Sequence, residues 1–240
     1  MSAWTRYSLD SEAVAIFTAG PRFDVRSPHS KESAYAYLDR SARPEADELR
    51  TLMEDWLGLY PVVDARDLAL RLGSRQDEQH RSAFFELLVF RLLLGLGHRV
   101  LVVEPKLAHT WKSPDFLVEG DFYLEAVSAQ SGDLHSVLKR KASRYGALDL
   151  PLVVAVTCSQ DEVGLREALE ALWVGPQGPQ RKGLSAVLAF GRIDPWSFRE
   201  SAISLFRHPD AESPLQEIDL GQGRCVGDVV KNAASTSAPP

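Results

Sequence analysis

Two carboxylates define the chemistry to consider first. In "SPDFLVEGDFYLEAVSA", residues 113–129, Asp115 and Glu125 are separated by nine residues and sit within two short runs of Phe, Leu, Val and Tyr. Such runs suit a pleated, half-buried surface, from which Asp is depleted and Glu less so. If Glu119, Gly120 and Asp121 form a three-residue hairpin loop, Val118 pairs with Phe122 and Asp115 falls directly opposite Glu125. The sequence also permits other registers. Opposed like charges repel, so this register asks for a protonated acid or for a cation between the two. A divalent, oxygen-loving ion such as Mg²⁺ or Mn²⁺ meets that need. The alternative places both acids at strand ends in water.

A basic residue follows on the next segment, "SGDLHSVLKRKASRYG", residues 131–146, which starts with Asp133 as an N-cap and stops at Gly146. On a helical wheel Leu134, Val137, Leu138, Lys141 and Tyr145 share an arc of about 100°, whereas Lys139 and Arg140 point elsewhere. Lys141 is therefore the cation on the apolar stripe. It either meets Asp115 and Glu125 or snorkels to water. Glu86 is a further acid, in "AFFELLVFRLLLGLG", a helix apolar nearly all round in which Arg91 is equally out of place. Periodicity does not choose between them, and the helix dipole alone accounts for a Glu in an early turn. Trp111 and Lys112 precede Pro114 in a loop, where an aromatic and a cation can contact a nucleic-acid strand or the Trp can anchor the loop. His98, His109, His135 and His208 are scattered without metal-binding spacing.

These residues need a scaffold. Helical periodicity runs through 44–61, with Leu49, Leu52, Met53, Trp56 and Leu57 on one stripe, and through "DARDLALRLG", with Leu68, Leu70 and Leu72. A long helix over about 77–96 ends at Gly97 and leads to the strand "RVLVVEP". After the hairpin and the Lys141 helix, "LPLVVAVTC" is apolar throughout, as strands buried on both faces are. The helix "DEVGLREALEALW" and the strands "LSAVLAF" and "AISLF" complete the pattern. The order is αβββαβ with an αββ extension, an α/β class with a mixed central sheet. It lacks strict βαβ alternation and any glycine-rich phosphate loop. The expected organisation is an irregular and helical N-terminal region over 1–75 docked on the core, a core over 76–159, an extension of the same domain over 160–230, and a disordered tail over 231–240.

Composition narrows the class. The chain has 240 residues, 45% of them hydrophobic and 25% charged, enough for one large core without staples. Cys158 and Cys225 show no metal or disulfide spacing, and the start shows no leader, so a soluble cytoplasmic protein is expected. A net charge of -6 argues against a generally basic nucleic-acid coat but leaves room for a local patch.

Taken together, these residues resemble the PD-(D/E)XK, or restriction-endonuclease-like, nuclease superfamily, over roughly 78–159. The family core is αβββαβ. Its motif is Pro-Asp at the start of one strand and (Asp/Glu)-x-Lys on the next, often with a Glu on the preceding helix. Here Pro114-Asp115, Glu125 and Glu86 match. The family lysine position holds Val127, and Lys141 stands on the helix to which some members move the basic group. "KASRY" also resembles the Gln-x-x-x-Tyr element of exonuclease branches, which brings in Tyr145. The resemblance implies a Mg²⁺- or Mn²⁺-dependent nuclease acting on nucleic acid, DNA first. Asp115, Glu125 and Glu86 would serve the metal, Lys141 would be catalytic, and Trp111, Lys112 and Tyr145 would contact substrate. Val127 and the acidic balance favour the alternative of an inactive binding module on the same fold, for nucleic acid or protein. A further alternative is an unrelated α/β domain with surface acids.

Overall fold

A computed structural model describes residues 14–103, 113–128, 134–142, 148–157, 162–174, 183–191 and 193–232. The chain divides into two compact units, Met1–Asp77 and Glu78–Pro240.

The first unit is helical: α1 (Ala34–Arg40), α2 (Pro44–Gly58) and α3 (Val62–Leu72). Pro44 opens α2 at a position whose N–H has no intrahelical partner, and Glu45 and Asp47 complement the dipole in its first turn. Leu49, Met53, Trp56 and Leu57 are buried along α2. On α3 the inward stripe is Ala65, Leu68, Ala69 and Leu72. Leu70, read from the sequence as part of that stripe, is instead 71% exposed, because two residues along a helix turn a side chain about 200° away. The segment before α1 is fastened by carboxylates. Glu54 Oε1 accepts from the N–H groups of Ile16 (2.8 Å) and Phe17 (3.1 Å), and Asp39 accepts from the Thr18 N–H (2.8 Å).

The second unit is built on one six-stranded sheet in the order β1 (Val100–Val102), β2 (Phe116–Val118), β3 (Phe122–Ser128), β4 (Leu152–Thr157), β5 (Ala186–Phe190) and β6 (Ile203–Arg207). Pairs β1–β2, β2–β3 and β5–β6 are antiparallel, whereas β3–β4 and β4–β5 are parallel. The segments read as core and as extension therefore share one sheet. Helices α4 (Asp77–Gly95), α5 (Leu134–Ala142), α6 (Glu162–Val174) and α7 (Val226–Asn232) flank it.

Strand alternation decides what each face carries. One face meets α4, whose Phe85 stacks edge-on with Phe190 (5.4 Å) and whose Phe90 lies against Phe116 (6.0 Å). On the other face α5 and α6 close a cluster that includes Val127, Leu134, Leu138, Val154, Leu165, Leu169, Val187 and Phe206. With helices on both sides, every residue of β4 and β5 is buried, which is why those strands read as unbroken apolar runs.

Candidate functional site

The hairpin fixes the geometry. Val118 pairs with Phe122, Leu117 with Tyr123 and Phe116 with Leu124, and one further step in this register sets Asp115 opposite Glu125. The turn closes through the Asp121 N–H on Val118 O (2.9 Å), with Glu119 and Gly120 both at positive φ (57° and 85°). Pro114, buried just ahead of β2, needs no ladder partner at a strand start. The Asp115 carbonyl accepts from the Val103 N–H (3.1 Å), while its carboxylate Oδ2 accepts from the Ala126 N–H (2.7 Å). Asp115 is thus held at both backbone and side chain. The Ala126 donor is the contributor that sequence reasoning missed, since a backbone amide leaves no mark on residue type.

Lys141 comes from α5 above the same face. Its Nζ bonds Glu125 Oε1 directly, and both residues are buried, Lys141 to 9% and Glu125 to 3% exposure. Lys139 and Arg140, on the other arc of α5, are exposed. Val127, two residues beyond Glu125 on the same face, is packed into the α5–α6 cluster, so the position where the family pattern asks for lysine is filled by core.

The two misfits of α4 separate. Arg91 donates through Nη2 to Val230 O (3.2 Å), near the carbonyl-rich C-terminal end of α7, and burial lowers its pKa. Glu86, 9% exposed, is close enough for its charge to act on Asp115. The Asp115 carboxyl is pushed well above the usual carboxylate range, first by burial and then by the charges of Glu125 and Glu86. The Ala126 hydrogen bond and Lys141 oppose the shift. Two opposed full charges about 5 Å apart repel by roughly 3 kcal/mol at an effective dielectric of about 20.

Three acids therefore share one electrostatic environment with one lysine. Among the described residues no group of three or more His, Cys, Asp or Glu side chains is arranged to hold a metal ion. A site for Mg²⁺ does not need three, since this ion keeps several waters and binds through one or two carboxylates. The hard-oxygen donors Asp115 and Glu125, with negative charge in excess, fit it. Trp111, Lys112, Tyr145 and His109 lie outside the described residues, as do Cys158, Asp133 and Gly146. His98 is engaged elsewhere, with Nε2 2.6 Å from Asp219 O and Nδ1 3.5 Å from Glu119 Oε1. No helix among the described residues is long and apolar enough to cross a membrane. No known protein family, curated protein or solved structure matches this chain.

Proposed function

We propose that the second unit is a metal-dependent phosphodiesterase acting on nucleic acid, DNA in the first instance, of the PD-(D/E)XK type. In this reading the motif lysine is supplied by α5 instead of β3. The observation that carries it is the contact of Lys141 with Glu125 beside Asp115. A cation from a separate helix reaches the acidic pair in the αβββαβ element order, while position 127 is packed in the core.

Asp115 and Glu125 would hold Mg²⁺ or Mn²⁺, which when bound polarises the phosphodiester and makes water a better nucleophile. The Ala126 N–H fixes the rotamer of Asp115, so the carboxylate is oriented before any ligand arrives. Glu125 holds the Lys141 ammonium at the site, where it can donate to a phosphoryl oxygen as charge builds there. Glu86 adds negative charge from α4 and would orient a water or serve a second ion. Tight packing of Val127, Leu134 and Leu138 keeps bulk water from the inner side of the pair.

The test uses the full chain with single- and double-stranded DNA and RNA, with and without Mg²⁺ or Mn²⁺. Metal-dependent cleavage is expected, lost in Lys141→Ala and retained in the exposed Lys139→Ala, with both variants folded. Cleavage that survives Lys141→Ala would refute the relocated-lysine mechanism. The second reading, a binding module without hydrolysis, is favoured by one observation: the Lys141–Glu125 pair satisfies itself without a ligand. Metal-stabilised wild type that cleaves none of the four substrates would select it.

A further inference from the structure

A second site lies at the far edge of the same sheet. Glu125, Val154, Val187 and Phe206 form one row across β3 to β6, so Phe206 stands three strand spacings, about 14 Å, from the acidic pair on the same face. Buried Val154 and Val187 lie between, which makes the two sites separate. Beyond Phe206, a cavity of about 330 Å³ opens between α6 and β6. It is lined by Arg166, Glu170 and Trp173 from the helix and by Leu205, Phe206, Arg207 and Pro209 from the strand and its exit.

Three features of this cavity converge. First, it borders a strand edge whose outward backbone groups are only partly used, with Arg207 Nη2 on Gln216 O (3.4 Å) beside it. The His208 N–H donates to Ser185 O (2.9 Å), and Val187 pairs with Phe206, so alternate residues Ile203, Leu205 and Arg207 turn their backbone groups outward. Ile203 uses its own: its N–H donates to Arg224 O (3.0 Å) and its carbonyl accepts from Gly223 (2.9 Å). The outward N–H and C=O groups of Leu205 and Arg207 have no backbone partner among the described residues. Second, the Trp173 indole N–H is buried without an acceptor among the described residues, although Trp is a donor that buried sites usually satisfy. Third, the Arg166 guanidinium lies over the Phe206 ring (5.3 Å), and Arg207 is a second arginine of the lining.

We propose that this cleft is a docking site for an extended peptide of a partner protein, which adds a strand to β6 and presents a carboxylate to Arg166. The edge residues Leu205 and Arg207 sit about 7 Å apart, the repeat of one strand face, and offer alternating donors and acceptors that a peptide backbone matches and a small aromatic acid does not. The helix beside the edge supplies the selectivity. Trp173 takes an apolar side chain, and the arginines of the lining favour an acidic one. Pro209 ends the edge and limits pairing to a short segment.

The experiment selects binders from a random heptapeptide library on the intact chain, then titrates the strongest synthetic heptapeptide into ¹⁵N-labelled protein. The expected result is peptides enriched in Asp or Glu that slow exchange of the Leu205 and Arg207 amides and shift the Trp173 indole signal. Arg166→Glu should weaken binding by about tenfold without moving the thermal midpoint, and N-methylation of the peptide amides facing β6 should weaken it similarly. Three results each overturn the proposal: no enrichment, protection at other amides, or equal binding of the N-methylated peptide. None of them bears on the carboxylate site, whose cleavage assay is read separately.

Discussion

Lys141 and a divalent ion are rivals for the same oxygen donor. Both seek Glu125, and in the structure the ammonium has it. Replacing Lys141 by Met should leave a buried carboxylate without its counter-charge and lower metal-free stability by about 3–5 kcal/mol. The same change should tighten Mn²⁺ binding by about tenfold, or 1.4 kcal/mol, because the ion no longer shares Glu125 with an ammonium. Denaturation of the metal-free proteins measures the first number, and calorimetric titration of wild type and variant with Mn²⁺ the second. Weaker Mn²⁺ binding by Lys141→Met would show that the lysine and the metal do not share Glu125. The neighbouring substitution Lys139→Met, on the exposed arc, should change neither quantity.

At the scale of elements, the hairpin turn decides whether the acids meet at all. A one-residue slip in the β2–β3 register would send Asp115 and Glu125 to opposite faces. Gly120 sits at φ 85°, a conformation that L side chains rarely adopt, and a Cβ there would meet nothing within 4 Å. Gly120→Ala should therefore cost about 1–2 kcal/mol purely through backbone strain, measured as a lower urea midpoint at unchanged slope. A stability unchanged by the substitution would mean that the turn relaxes and does not fix the register. Two helices carried little sequence signal. The seven residues of α1 begin at an N-cap where Ser33 Oγ accepts from the Ala36 N–H (3.2 Å), and α7 is equally short. Two turns are too few for a 3.6-residue period to stand out.

For the whole molecule, the raised pKa of Asp115 ties stability to pH. Folding raises this carboxyl above its ordinary value of about 4, so the folded chain holds its proton more tightly than the unfolded one. The resulting stability is fully present below the ordinary value and is lost as pH rises through the folded one. Metal-free protein should thus lose stability with rising pH over that interval. Asp115→Asn should flatten the dependence, and saturating Mg²⁺ should offset it by favouring the ionised form. Thermal midpoints of both proteins, with and without Mg²⁺, across pH 4 to 8 test this. A wild-type curve parallel to that of Asp115→Asn would remove Asp115 as the source.

What the sequence by itself determined was local. Alternating and unbroken apolar runs placed β1 to β6, the 3.6-residue period placed α2 to α6, and the acids, the Val127 departure and the inward stripe of α5 were all legible from residue type and spacing. Contacts between distant segments were not. That Arg91 is taken up by the Val230 carbonyl of α7, while the charge of Glu86 acts on Asp115, could not be read from the helix alone. Gly95 sits where a Cβ would come within 2.8 Å of Val229 O, a close approach of α4 and α7 that no periodicity encodes. The pairing of Lys141 with Glu125 and the Ala126 donor to Asp115 likewise exist only once α5 lies on the sheet. The row from Glu125 to Phe206 and the edge position of β6 come from strand order. Periodicity records which side of an element is apolar, whereas the partner that covers that side is chosen by packing among elements far apart in the chain.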